Sequence, residues 1–147
     1  MIPPSPRRAR SPRELEEAIE VRIRVFCDEQ GVDPEDEVDG LDGDAIQLVA
    51  LERGKVIATA RLRPEGGEGG TCKLERVAVD KEFRGSGLGM AIVEKSHEEA
   101  FREGAAEMVT HAQTQARGFY ERAGYAVVDP EPFMEDGIEH VKMSRPL

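Results

Sequence analysis

Apolar side chains near the start of the chain recur at three-and-four spacing: Leu15, Ala18, Ile19, Arg22 with its long aliphatic stem, and the pair Val25-Phe26. That period places one stripe of a helix against a core. Ser11-Pro12-Arg13-Glu14 marks where the helix begins, with a Ser N-cap, Pro at the first helical position and Glu placed to complete a capping box. Gly31 and Pro34 end the run. Ahead of the helix, residues 1–10 are expected to be a flexible segment or to carry a short edge strand at 7–10. The pattern then shortens to runs that suit strands. Residues 45–51 and 55–62, separated by Glu52-Arg53-Gly54, predict an antiparallel hairpin. Pro64 and the glycines at 66–70 turn the chain into a strand over 72–79. Met90, Val93, His97, Ala100 and Phe101 trace the buried side of a second long helix that stops at Gly104. A strand at 108–112, a short helix at 114–122 and strands at 125–128 and 141–144 complete the chain. This order predicts an α/β domain with a mixed sheet, antiparallel at first and parallel across the second long helix.

Between the strand at 72–79 and that helix lies Arg84-Gly85-Ser86-Gly87-Leu88-Gly89-Met90. Three glycines at alternate positions let backbone approach a ligand without Cβ clashes, and the first amides of the following helix have no intrahelical acceptor. With the positive end of the helix dipole behind them, they suit a phosphate. The spacing is G-x-G-x-G, so the dinucleotide fingerprint fails at Met90, and no Gly-Lys-Ser/Thr follows for a nucleotide P-loop.

Length and composition narrow the field further. A chain of 147 residues suits a single domain, here expected over 11–147. The two cysteines, Cys27 and Cys72, show neither a disulfide framework nor a metal-ligand spacing, so no metal is expected. No apolar run is long enough to span a membrane and no signal core is visible, which predicts a soluble cytoplasmic protein with no membrane partner. A formal net charge of −10 argues against a nucleic-acid partner. Seven carboxylates crowd residues 33–44, but neither Asp33 nor Asp39 as a first ligand leaves glycine at the sixth position of a calcium loop. Two readings of this segment stay open: a solvated loop, or a wall that attracts a cationic acceptor.

The Val77-Ala78-Val79 strand, the Arg84-x-x-Gly87-x-Gly89 turn and, some thirty residues on, Phe119-Tyr120-Glu121-Arg122-Ala123-Gly124-Tyr125 together resemble the GNAT superfamily of N-acetyltransferases. Val25-Phe26-Cys27-Asp28-Glu29-Gln30-Gly31-Val32, His111-Ala112-Gln113 and Gly137-Ile138-Glu139-His140-Val141 extend the likeness to the narrower ElaA/YjcF-like bacterial group over nearly the whole chain. The resemblance implies a mostly antiparallel sheet with two splayed parallel strands and flanking helices. It implies acetyl-CoA as cosubstrate, its pyrophosphate on Arg84, Gly85, Ser86, Gly87, Leu88, Gly89 and Met90 and its pantetheine arm along Val77, Ala78 and Val79, with Ala116 and Phe119 beside it. Gln113 stands where many relatives have an asparagine that contacts the pantetheine. A homodimer, frequent among relatives, is one option for assembly.

Acetyl transfer from a thioester to an amine needs a neutral nucleophile, donors for the carbonyl oxygen and a proton for the departing thiolate. Tyr120 matches the tyrosine that the superfamily places beside the sulfur and is the candidate acid, or a packed aromatic. Glu75 is a candidate base if burial raises its pKa, or else pairs with Arg76 or a lysine. His111 is the competing base, or a hydrogen-bonded strand histidine. His97 reads as a residue at the core boundary, His140 as a surface residue and Cys27 as a small helix residue. The leading expectation is an N-acetyltransferase acting by direct attack on an amine: a polyamine, an aminosugar or amino acid, or a protein amine. The alternatives are a coenzyme-binding sensor without turnover and, less favoured by the short chain, an acyl-homoserine lactone synthase-like acyltransferase.

Overall fold

The computed structural model describes residues 4–147. Seven strands form one sheet in the order β1-β2-β3-β4-β5-β7-β6: β1 (Arg7–Arg8), β2 (Ile46–Glu52), β3 (Lys55–Glu65), β4 (Thr71–Val79), β5 (Glu107–Gln113), β6 (Ala126–Glu135) and β7 (Ile138–Pro146). Every neighbouring pair is antiparallel except β4 and β5, which the crossover helix α3 (Leu88–Arg102) makes parallel. The predicted mixed sheet is therefore the one observed. Helix α1 (Pro12–Arg22) starts at the Ser11 cap, whose hydroxyl accepts from the Glu14 amide. Two short helices, α2 (Pro34–Glu37) and α4 (Arg117–Arg122), complete the set. Among the described residues no helix is long and apolar enough to cross a membrane.

The sheet separates two cores. On one face Leu88, Ile92, Val93 and Ala100 of α3 pack on Leu48, Ala60, Leu62, Leu74 and Met108. On the other, Ala18, Val21 and Val25 pack on Val49, Val56 and Ala78. Each Val, Leu, Ile or Met side chain among them contributes roughly 1.5–3 kcal/mol on removal from water, before chain entropy is counted. β4 is gripped from both sides, Leu74 in one core and Ala78 in the other, and so forms the fixed spine of the cleft described below.

Several local expectations are corrected. Leu15 is 39% exposed, because the buried stripe runs through Ala18, Val21, Arg22 and Val25 instead. Phe101 is 68% exposed: Ala100 holds the inward position, and the next residue turns about 100° away. The first helix does not stay α-helical to Gly31; Ile23–Glu29 is a π-helix, a widening that often accompanies a functional site. The last two strands are longer than predicted and join at Asp136-Gly137, both with positive φ. An Asp-Gly pair between apolar runs is a strong hairpin signal, and this chain carries one at that turn. His140 is buried at 7% exposure rather than on the surface, because its ring stacks on Phe133 across that hairpin. The short edge strand at Arg7–Arg8 pairs with β2, and Arg8 bonds the buried Glu99 of α3 at 2.6 Å.

Candidate active site

The parallel ladder between β4 and β5 holds for four pairs, Thr71↔Glu107 to Leu74↔Thr110, and then stops. Its end follows from a bulge. Against β3, Arg61 pairs with Glu75 and Thr59 with Ala78, so Arg76 and Val77 together oppose Ala60, with Arg76 at φ +54°. A bulge of this kind bends the strand, and β4 leaves β5. Beyond Leu74 the side of β4 that faced β5 has no partner strand among the described residues. Thr110, at the fork, donates its hydroxyl to the Leu74 carbonyl at 2.9 Å. The opening is a cleft of about 690 Å³ whose walls include Val77, Val79, Tyr120 and His111.

One end of the cleft meets the glycine turn. Gly85 and Gly87 sit at φ +82° and +86°, a left-handed conformation that side chains other than glycine adopt at a cost. Ser86 donates its hydroxyl to the Phe83 carbonyl at 2.7 Å and fixes the turn. Gly87 is the N-cap of α3 without a side-chain cap, and the helical ladder begins only with the Ala91 amide bonding Gly87. The amides of Leu88, Gly89 and Met90 therefore have no intrahelical acceptor. Buried Leu88 anchors that first turn in the core. Gly89 has ordinary φ; a Cβ there would stand 3.6 Å from the Phe119 ring, which ties α4 to α3. Ala116 lines the same end. The Arg84 guanidinium spans two groups, the Val79 carbonyl at 3.0 Å and the Glu29 carboxylate at 2.6 and 2.9 Å. Gln113 donates to Gln30 at 2.7 Å, across from β5 to the end of the π-helix, and accepts from Gln115 at 2.8 Å.

At the middle of the cleft stands Tyr120, 8% exposed and edge-on to both Phe119 and Tyr125. Burial pushes its phenol up to about 12, against a smaller downward pull from Thr110, so the hydroxyl is a protonated donor at neutral pH. His97 and Tyr125 lie behind it; the His97 ring bonds the Tyr125 hydroxyl at 2.9 Å, and burial pushes this histidine down to about 4.

The far end is built from charged side chains. Glu75 accepts from Arg61 at 2.8 Å and from Arg63 at 2.8 and 2.7 Å, with the second nitrogen of Arg61 at 2.6 Å and the Lys73 ammonium at 3.3 Å as ion-pair contacts. Burial would raise this carboxyl, but the hydrogen bonds from Arg63 and the charge of Arg61 outweigh it and hold the group down at about 2. The upward shift that would make Glu75 a base is therefore not present, and its partners are Arg61, Arg63 and Lys73 rather than Arg76. Arg76 instead reaches Glu37 at 2.9 Å and Asp39 at 3.3 Å. Arg22 and Arg61, both essentially without solvent contact, bind Glu37 and Asp42 and Asp39 and Asp42 respectively. The acidic segment is thus in part a set of counter-ions for buried arginines, which neither open reading of residues 33–44 anticipated.

His111 lies on the opposite wall. Its Nδ1 is 3.1 Å from Glu135 of β6, its ring is edge-on to Phe133, and the same carboxylate is 3.7 Å from Nε2 of His140. The hydrogen bond from His111 lowers the Glu135 carboxyl. A histidine whose Nδ1–H is held by a carboxylate keeps Nε2 free to accept a proton, the arrangement of an oriented base. Glu135 and His140 were missed in the sequence, because the hairpin that carries them was not read.

The chain matches the acetyltransferase (GNAT) domain family over residues 14–147. It belongs to that family. Transfer of acetyl groups from acyl-coenzyme A is the family's chemistry, and the forked β4 edge leading into an uncapped helix start is a cradle of the right kind for such a molecule. YjcF of Bacillus subtilis, by name an uncharacterized N-acetyltransferase, is 35% identical over 93% of this chain and 96% of its own. An acyl-CoA N-acyltransferase from Pseudomonas aeruginosa is 32% identical with a TM-score of 0.79, covering 96% of this chain and 97% of its own. Escherichia coli ElaA is 25% identical with a TM-score of 0.83, covering 97% and 99%. The expected ElaA/YjcF-like membership of this acetyltransferase is therefore found.

Proposed function

We propose that this GNAT protein is an acetyl-CoA-dependent N-acetyltransferase that passes the acetyl group directly to an amine in the cleft between β4 and β5. The reading is carried by one observation: the β4 edge left without a partner beyond Leu74 runs straight to a helix start whose first amides are free. The amides of Leu88, Gly89 and Met90, with Arg84, take the pyrophosphate. Val77, Ala78 and Val79 offer backbone groups to the pantetheine, and Ala116 and Phe119 flank it. His111, oriented by Glu135, accepts the proton of the attacking amine, and Tyr120 donates to the departing thiolate. Glu75, held ionised among three cations, positions charge rather than moving a proton.

Two measurements test this. Acetyl-CoA should raise the melting temperature, and thiol release should depend on an added amine. Tyr120→Phe and His111→Asn should each lower turnover by roughly 10²-fold, with the affinity for acetyl-CoA nearly unchanged. Equal turnover in either variant removes that residue from the mechanism. Stabilisation without turnover over a wide amine panel points to a sensor, and absence of stabilisation removes the coenzyme itself.

A further inference from the structure

The acceptor end of the cleft has two unlike walls. On β3 and β4, Arg63 and Lys73 are cross-strand partners, a quarter exposed, and both line the cavity. They share one carboxylate, Glu75, which also serves Arg61. Arg61 also binds Asp39 and Asp42, which it shares with Arg76 and Arg22. Arg63 otherwise has only Glu65 at 3.9 Å, on an exposed side chain. Two cations of this wall thus share one contacting carboxylate, which leaves a place for a second anion beside them, while the rest of the lining is acidic: Asp36 and Asp136 also line the cavity, and the Lys73 charge reaches Glu135. On β5 and β6 stand His111 and Glu135, the one able to take a proton and the other negative. The carboxylates that were candidates to draw in a cation do not compete, because Glu37 and Asp39 are already paired with arginines.

Resting on the acetyltransferase reading above, we infer that the acceptor is a small zwitterionic amine of the amino-acid type, its carboxylate held by Lys73 and Arg63 and its amine presented to His111. The polarity of the two walls orients the molecule: reversed, it would set ammonium against ammonium and carboxylate against Glu135. An acceptor without a carboxylate leaves the Arg63–Lys73 wall short of an anion; a polyamine adds further positive charge to it.

The test compares matched acceptors, a panel of free amino acids and the corresponding amino-acid amides together with spermidine, in a thiol-release assay, with acetyl-CoA affinity measured in parallel by calorimetry. Free amino acids should exceed their amides in kcat/KM by roughly tenfold or more, the size of one charge-assisted hydrogen bond. Lys73→Met keeps the aliphatic stem and should erase that preference by raising KM for the amino acid, with acetyl-CoA affinity unchanged. A preference for amides or spermidine, no turnover of any amino acid, or a preference that survives in Lys73→Met each overturns the inference while leaving acetyl-CoA binding intact. Loss of acetyl-CoA binding in the wild-type protein would instead bring down the acetyltransferase reading on which it rests.

Discussion

At the end of the cleft proposed for the coenzyme the groups that face the opening belong mainly to the backbone: the edge of β4 past Leu74 and the first amides of α3 behind Gly85 and Gly87. At the acceptor end they are side chains carried in from β3, β4, β5, β6 and the segment after the π-helix, held by mutual ion pairs. The difference separates two tasks. A backbone cradle of this kind suits phosphate and amide, features common to every acyl-coenzyme A, and is specified by a few residues that let the chain turn. A side-chain cluster, proposed to take the acceptor, depends on every partner being present, since an unpaired buried charge is costly. Variation in substrate across a shared fold is expected to reside at the second end.

The largest effect should come from Gly87→Glu. Nothing within 4 Å blocks a Cβ there, so the substitution acts through the positive φ and by adding a carboxylate at the helix N-terminus proposed to take the phosphate. Acetyl-CoA binding should fall below detection by calorimetry while the fold persists; retained affinity would take the phosphate away from this turn. Next is Arg22→Met at the opposite end. Arg22 has no solvent contact and binds Glu37 at 2.5 Å and Asp42 at 2.7 Å. Its loss leaves buried Glu37 to Arg76 alone and Asp42 to Arg61 alone, and should cost about 3 kcal/mol in urea unfolding. A change under 1 kcal/mol would mean that the network is solvated rather than structural.

A smaller effect follows from acid. Glu75 ordinarily titrates at 4.5 and in the folded protein at about 2. A carboxylate depressed in this way contributes stability that is complete above the unfolded value and is lost as pH falls from about 4.5 toward 2. That contribution is on the order of 2 kcal/mol. Unfolding free energy should decline over this window in the wild type and less steeply in Glu75→Gln. Parallel pH profiles would show that Glu75 is not held by its cations.

The contrast between the two ends also governs what could be read from the chain before its structure. The coenzyme end announces itself locally: Arg84, Gly85, Gly87 and Gly89 are contiguous, and a glycine turn after a strand has few uses. Ser11 and Glu14 mark the start of α1 for the same reason, since a cap is made by neighbours in sequence. The acceptor end has no such signature. Glu75 meets Arg61 and Arg63 across a strand pair, and Asp39 meets Arg61 from a loop 22 residues away, so the pairing exists only once register and bulge are set. The bulge itself rests on Arg76 at positive φ, a conformation that no residue type at that position predicts. The His111–Glu135 pair was legible in principle: Asp136-Gly137 fixes the hairpin, the hairpin fixes where Glu135 lies, and missing the turn hid the partner.

The weakest expected effect probes where the two ends touch. Arg84 of the glycine turn is held by Glu29, the last residue of the π-helix, through two bonds of 2.6 and 2.9 Å, yet the two side chains are 43% and 32% exposed. An exposed ion pair is worth about 0–1 kcal/mol, so a pyrophosphate has little to overcome in taking Arg84 from Glu29. If the carboxylate competes with the phosphate, Glu29→Gln should tighten acetyl-CoA binding by up to about fivefold, the equivalent of that pair. The gain should vanish when Arg84→Ala is made in the same chain, as a double-mutant cycle would show. If Glu29 instead holds the guanidinium in place for the phosphate, the same substitution should weaken binding. The sign of the change thus decides whether the π-helix opposes the loading of the coenzyme or prepares the turn for it.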